Sequence, residues 1–552
     1  MKYILTATAV ILSIKLAAAA SPIRGDDSAQ PDHSRVPGVV IAHSPAESGI
    51  YIGSPGILIM PDGSYLAKHD EFGPRSTERT SAITHVYRST DRGQSWEHMA
   101  RVDGLFWANI FYHRGAVYMM GTSAGHNHGH CVIRRSTDGG RTWTRAKDET
   151  SGLLFPDISY HTAPMPVLVH AGRIWRTMED EKSGGGWGHS FRAFMMSAPI
   201  DADLLVADNW TATNAIPRDP AWLDGQFRGW LEGNVVVDPH GRVVNVLRVN
   251  VQAPSRIAGK AAIVSISDDG RTATFDPETG FIDLPGGAKK FTIRFDPQTN
   301  AYWSLTNPVM GHTERNAGSV RNTLALLRSD DLIHWQIRCI LLHHPDVVHH
   351  GFQYPDWVFE GDDLIAAIRT AYDDGLGGAR NAHDANHLTF HRFENFRDLT
   401  IADSVAAPDS IGPALPARIE RDDLLVEGRG FAEGTLTNDA VAFGNRNYVW
   451  QRVPEPLQGR SFTKTLGGVR AEIRVTAKRE LTLSMATASG QTGINTSGWE
   501  AEPELTFHYT DGGRTRMQVY RRRIAAGQTI ELPQGNWTGG ILLLPEIDAS
   551  GR

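Results

Sequence analysis

The sequence predicts an all-β fold, a seven-bladed β-propeller followed by a C-terminal β-sandwich domain. Three observations carry that expectation. Short runs of β-branched, aromatic and aliphatic residues recur around tight Gly/Asp turns, as in GILIM-PDG-SYLAKHD, NIFYH-RG-AVYMMGT and PMPVLVH-AG-RIWRTMED, which is the hairpin pattern. No long stretch carries a helical period. The stretch YRSTDRGQSW, Tyr87 to Trp96, returns forty-seven residues later as RRSTDGGRTW, Arg134 to Trp143, so a Ser-x-Asp-x-Gly-x-Ser/Thr-Trp turn repeats along with the hairpins.

The repeated turn explains itself mechanically. Its Ser and Asp side chains can hydrogen-bond the turn backbone, its Gly can take the left-handed conformation, and its Trp can pack beneath. Degenerate copies follow at Ser267-Asp268-Asp269-Gly270 and at Ser329-Asp330-Asp331 with Trp335. A hairpin, a third strand, this turn and a fourth strand make a unit recurring roughly every 40 to 55 residues, the period of radial blades. Residues 39–403 therefore divide into seven blades of about 50 residues, with six as the alternative count. The Pro/Ala-rich stretch 404–423 reads as a linker, and residues 424–552 read as the β-sandwich accessory domain, strand-like but without the turn motif.

Composition narrows the partners. The chain has 552 residues and a formal charge of -7, with no basic stripe to hold a polynucleotide. Cys131 and Cys339 are its two cysteines, which excludes a disulfide framework, allows at most one bridge and leaves almost no room for a structural zinc site of Cys ligands. The N-terminus has Lys2, an apolar stretch and Ala18-Ala19-Ala20 before Ser21, the layout of a secretory signal at 1–20, with 21–38 as an N-terminal linker. The expected location is extracellular or periplasmic, without a membrane partner, and the expected state is a monomer. Sequons at Asn209, Asn495 and Asn536 agree with export.

In a propeller the Asp-box turns lie on one face, and the starts of innermost strands and the ends of second strands converge on the other. The substrate-binding candidates at such positions are His69, Asn109, His161, Arg228, Glu232, Asn234, Arg248, Gln353, Tyr354 and Arg369, with the loop GHNHGH supplying His126, His128 and His130. A funnel rich in Arg, His and Tyr suits an anionic sugar. Uronate cleavage by β-elimination needs a cation at the carboxylate, a base for the C5 proton and an acid for the leaving oxygen.

The stretches YIGSPGILIMPDGSYLAKHDEFGP, FWANIFYHRGAVYMMGT, YHTAPMPVLVHAGRIWR, WLEGNVVVDPHGRVVNVLRVN and HGFQYPDWVFEGDDLIAAIRTAYDD together resemble the sialidase-like, seven-bladed propeller family of rhamnosyl-glucuronate-cleaving enzymes. Members are described as α-L-rhamnosidases or as L-rhamnose-α-1,4-D-glucuronate lyases acting on gum arabic and arabinogalactan side chains. The resemblance implies a secreted polysaccharide lyase acting on a uronic-acid-containing polysaccharide, with no cofactor required for the chemistry and room for a bound Ca2+. The Phe-Arg-Ile-Pro signature of sialidases is absent from the first blade.

A second likeness points to particular catalytic residues. Propeller ulvan lyases use a Tyr and an Arg sixteen positions apart with upstream histidines, and Tyr160 and Arg176 show the same separation. That resemblance implies His126 or His128 as base or carboxylate polariser, Tyr160 as the proton-transfer partner and Arg176 as the carboxylate neutraliser. Hydrolysis would instead call on a carboxyl pair from Glu179, Asp180, Glu232 and Asp373, or on His69. The GHNHGH loop also reads as a metal tract or a solvated loop, HDANH at His383 to His387 has metal-ligand spacing, and a glycan-binding propeller without activity is the third class.

Overall fold

The computed structural model describes residues 30–251, 259–310, 316–406, 416–443, 448–465, 471–488, 494–510, 514–534 and 539–545. The signal-like segment 1–20 and the sequon at Asn536 lie outside the described residues. Among those described, no helix is long and apolar enough to cross a membrane.

The described residues of 39–403 form six antiparallel sheets, not the expected seven. Their innermost strands are Gly56–Ile59, Phe106–His113, Tyr160–His161 with Leu168–His170, Phe227–Val237, Thr292–Asp296 and Gly351–Glu360, in blades 1 to 6. Each sheet shares an apolar cluster with the next. Leu66 and Val86 meet Ile110 and Met119, Phe111 and Met120 meet Ile174 and Met178, and Trp175 and Met195 meet Trp230 and Leu247. Val236 and Val246 then meet Ile293 and Leu327, and Trp303 and Leu326 meet Trp357 and Ile368. Ile365 and Phe390 close the ring on Ile57 and Tyr65. Six interfaces for six sheets define a closed six-bladed propeller, because a blade buries its two faces only against its neighbours.

The miscount has two causes. Long connections (181–191, 213–226 and 344–350) add length between strands, so dividing residues 39–403 by a blade of about 50 residues overcounts the blades. In addition, Val39–His43 does not open blade 1; it pairs with His387–Phe393 and completes blade 6.

The Asp boxes behave as fasteners. In the first, Ser89 donates to Asp91 at 2.7 Å, Gly93 N–H donates to Ser89 Oγ at 2.8 Å, and Trp96 Nε1 donates to Gly93 O at 3.2 Å. Gly93 has φ +89°, and a Cβ there would lie 2.3 Å from the Phe390 ring of blade 6. The second box repeats these bonds at Ser136, Asp138, Gly140 and Trp143. Both cysteines are buried and unbridged.

Beyond the propeller, a four-stranded and a seven-stranded antiparallel sheet share a core in which Leu424, Val426, Ile473 and Val475 meet Leu483, Met485, Ile524 and Leu542. Pro416–Glu420 pairs with Leu424–Arg429 as the edge of the smaller sheet, so these five residues of the expected 404–423 linker form a strand.

Candidate active site

Three innermost strands are broken at corresponding places. Ladder irregularities occur between Phe106 and Asn109, Leu231 and Gly233, and Gln353 and Asp356, in blades 2, 4 and 6. At each break a bulky residue has positive φ: Trp107 (51°), Glu232 (41°) and Tyr354 (54°). Such conformations cost on the order of 1 to 3 kcal/mol each and persist only when their surroundings enforce them.

The preceding blade supplies the enforcement every time. Buried Asp70 accepts the Trp107 N–H at 2.7 Å and is held by Thr84 and Lys68 at 2.7 and 2.9 Å. The Thr177 hydroxyl donates to Gly233 O, next to Glu232. Lys290 and Thr292 donate to Pro355 O, next to Tyr354, at 2.6 and 2.9 Å. Lys290 is fully enclosed, and burial, opposed by the Asp356 and Glu232 carboxylates, lowers its ammonium to about 8.

Two of the bulged residues meet. The Tyr354 hydroxyl donates to Glu232 Oε1 at 2.9 Å, and Arg248 Nη1 donates to Glu232 Oε2 at 2.7 Å. Burial alone would raise the Glu232 carboxyl, but the Arg248 guanidinium, His161 and the Tyr354 hydroxyl together hold it below its ordinary value. Arg369 and Arg321 flank the Tyr354 ring, with guanidinium carbons 5.1 and 5.6 Å from its centroid. Arg321 Nη1 donates to Gln353 Oε1 at 2.7 Å, Gln353 donates to His383 O at 3.0 Å, and Arg369 also donates to His383 O. Burial lowers the Arg369 guanidinium to about 10, and the Nε atoms of both Arg321 and Arg369 are buried without a partner.

His161 completes this group. Its Nδ1 donates to Glu179 Oε2 at 2.9 Å, which leaves Nε2 with no hydrogen bond among the described residues. Its ring stacks on Phe191 at 4.3 Å and meets the edge of Trp107 at 4.6 Å. A cavity of about 480 Å³ adjoins the cluster, lined by Tyr51, Phe72, Glu78, Arg380 and Asp384 among others. Phe72 joins the two, since Arg369 lies 4.2 Å from its centroid. Burial raises the Glu78 carboxyl above its ordinary value.

The structure thus brings together Glu232, Arg248, Gln353, Tyr354, Arg369 and His161 from the sequence-based set. It adds Arg321, which lies in the connection just before the third strand of blade 5, Thr323–Ser329, and so escaped a search confined to first-strand starts and second-strand ends. Trp107 was also missed, because a bulge leaves no mark in the alternation pattern.

The remaining candidates are placed differently. Tyr160 donates to Asp157 Oδ1 at 2.7 Å, and its ring lies in the apolar cluster between blades 2 and 3 beside Phe155 and Phe194. Burial, reinforced by the Asp157 carboxylate, pushes its phenol well above the ordinary value. Arg176 is fully buried and donates to Asn109 Oδ1 (3.3 Å), Thr177 O (2.8 Å), Thr162 Oγ1 (3.0 Å) and Ala163 O (2.8 Å). Tyr160 lies opposite Asp180 and Arg176 opposite Met196, so the two do not meet. They brace the wall, and the sixteen-residue spacing does not assemble a site.

His126 Nδ1 is tied to Glu181 Oε1 at 2.8 Å, His128 is exposed, and His130 Nδ1 donates to Ile158 O at 2.9 Å, so the loop histidines do not converge. His69 is buried between Tyr87 Oη and its neighbour's carbonyl, both at 3.1 Å, and burial lowers its imidazole to about 3. Asn109 receives Arg176, and Asn234 binds the blade 5 backbone at Phe291 O and Ile293 N; both tie blades together. Arg228 is half-buried at the start of its strand. In HDANH, His383 Nδ1 bonds Asp384 at 2.8 Å and His387 Nδ1 bonds Asn386 at 3.0 Å. Among the described residues no group of three His, Cys, Asp or Glu side chains is placed to hold a metal ion.

No protein-family model matches the chain, and no curated protein matches its sequence. Solved structures similar to it include the Penicillium chrysogenum α-L-arabinanase complexed with arabinobiose, at 14% identity and TM-score 0.42, covering 66% of this chain and 98% of that one. The Fusarium graminearum GH93 α-L-arabinofuranosidase, also with arabinobiose, is similar at 11% identity and TM-score 0.43, again over 66% and 98%. The Trypanosoma rangeli sialidase bound to the inhibitor DANA is similar at 11% identity and TM-score 0.40, over 91% of this chain and 88% of that one.

Proposed function

We propose that this protein cleaves a glycosidic bond at a carboxylate-bearing sugar, with Tyr354 as the proton donor that Glu232 orients and with Arg248, Arg321 and Arg369 as the cationic cradle. The observation that carries the reading is the Tyr354 hydroxyl bonded to Glu232 amid three guanidinium groups. Preorganised cations in a dry site favour both a bound carboxylate and negative charge developing on a phenol.

Elimination uses every member of the set. The guanidinium groups neutralise the sugar carboxylate and so acidify the C5 hydrogen. His161 Nε2, with its ring fixed by Glu179, takes that proton. The C4–oxygen bond breaks as the C4–C5 double bond forms, and the Tyr354 hydroxyl gives its proton to the leaving oxygen. The resulting phenolate faces three cations, and a proton moving from His161 back to Tyr354 restores the site. The substrate that the sequence resemblance suggests, the rhamnose–glucuronate linkage of arabinogalactan side chains, fits this chemistry. The stretches carrying that resemblance also supply Glu232, Arg248, Gln353, Tyr354 and Arg369. Export of the enzyme to meet such a polysaccharide is part of the same proposal.

Hydrolysis is the second reading, favoured by the same hydrogen bond. A phenol beside a carboxylate base matches glycosidases with a tyrosine nucleophile, in which Glu232 would take the hydroxyl proton as Tyr354 attacks the anomeric carbon. Incubation with gum arabic separates the outcomes. Rising ultraviolet absorbance of an unsaturated uronate supports elimination, sugar release without it supports hydrolysis, and binding without release reduces the propeller to a glycan-binding scaffold.

A further inference from the structure

An aromatic surface stands beside the proposed reaction centre and takes no part in the chemistry described. Trp187 is 45% exposed, although a Trp side chain ordinarily gains from burial. It sits in the loop SGGGWGHS between the second and third strands of blade 3, and the loop is closed on itself by Ser183 N–H to Ser190 O at 3.0 Å and Ser190 N–H to Gly186 O at 3.0 Å. The loop is also seated on blade 4: a Cβ at Gly229 would lie 1.9 Å from Gly188 O, so that approach requires glycine. The exposed indole is therefore held in place rather than left trailing.

Its neighbours lead to the reaction centre. Trp187 meets the edge of His161 at 6.2 Å and of Phe191 at 5.8 Å, and His161 meets half-buried Trp107 at 4.6 Å. Two indoles thus flank the imidazole that acts electrostatically on Glu232, on the side of the ring formed by blades 2 and 3. The arginines on Tyr354 come from blades 5 and 6. The first side presents aromatic faces alongside the His161–Glu179 pair, and the second carries the guanidinium groups on Tyr354.

We propose that Trp187, backed by Trp107, is a stacking platform for a neutral sugar residue joined to the acidic sugar at Tyr354 and Glu232. This rests on the proposed function for the acidic half of the ligand. The apolar face of a neutral sugar ring covers an indole without desolvating a charge, whereas a uronate there would lose its cations. The platform should set affinity for the longer substrate and leave recognition of the acid untouched.

The test measures binding by calorimetry of glucuronic acid and of a disaccharide joining a neutral sugar to glucuronic acid, using wild type, Trp187→Ala, Trp187→Phe and Arg369→Ala. The expected result is that Trp187→Ala weakens the disaccharide by about tenfold, leaves glucuronic acid unchanged, and is largely rescued by Trp187→Phe. Equal weakening of both ligands, no weakening of the disaccharide, or no disaccharide binding by wild type would overturn the platform. If Arg369→Ala leaves both ligands unaffected while Trp187→Ala still weakens the disaccharide, the acidic-site reading fails and the platform stands. Trp187 is 45% exposed, so its variants should remain folded, which thermal melting checks alongside binding.

Discussion

Tyr354 and Glu232 lie 122 residues apart in sequence and meet through a 2.9 Å hydrogen bond, each on a bulged innermost strand and each at positive φ. The strain is local and the support is remote, since Thr177 anchors one bulge and Lys290 with Thr292 the other. Neighbouring blades thereby set the geometry of the pair, and the pair is rigid because the ring of blades is closed.

Tyr354→Phe and Glu232→Gln should each lower kcat/KM by about 10²- to 10⁴-fold, the usual effect of removing a positioned proton-transfer group. Because the two act as a unit, the double variant should be little worse than either single one. Steady-state kinetics on a glucuronate-bearing glycan checks both statements. Additive losses would show that the residues act independently.

Arg248→Met leaves the Glu232 carboxylate buried without its guanidinium, the two side chains being 7% and 2% exposed. Breaking a buried pair by removing one partner costs roughly 3 to 5 kcal/mol. A fall in the urea midpoint is expected, with a smaller fall for Arg248→Met combined with Glu232→Gln, because the stranded charge is then gone.

The Asp boxes predict acid sensitivity. Hydrogen bonds from Ser95 first, then Ser89, hold the Asp91 carboxyl down to about 2, while at Asp138 burial opposes but bonds from Thr142 and Ser136 prevail, again to about 2. Both values lie below the ordinary aspartate value of about 3.9. Their contribution is complete above that value and is lost as pH falls through it towards the folded value. The stability gap between wild type and Asp138→Asn should therefore narrow as pH falls from about 5 to about 2 in urea unfolding. A gap that stays constant would mean that the carboxylate charge contributes nothing to the turn.

Much of this was legible from sequence. Period-2 runs, Gly/Asp turns and the box at Ser89 to Trp96 were enough for a propeller, because each is a local signal. The blade number was not, since Val39–His43 joins a strand nearly 350 residues away and no local pattern records that closure. At the site, Glu232, Arg248, Tyr354 and Arg369 were reachable from their strand ends. Tyr160 misled because its neighbours along the chain do not reveal that its ring turns into the blade 2–3 interface. Arg321 and Trp107 needed coordinates, one for its place in the connection before a third strand and the other for its bulge.

The most direct test compares Tyr354→Phe with Tyr160→Phe in one assay, the rate of glycan cleavage on gum arabic. Tyr160→Phe should lose only its bond to Asp157, costing about 1 kcal/mol of stability, and should turn over like wild type. Tyr354→Phe should stay folded at a cost of about 1 to 3 kcal/mol, because the buried Glu232 Oε1 loses its donor, and should lose about 10²-fold or more in rate. Full activity in Tyr354→Phe, or its loss in a folded Tyr160→Phe, would contradict the assignment of the reaction centre to Tyr354 and Glu232.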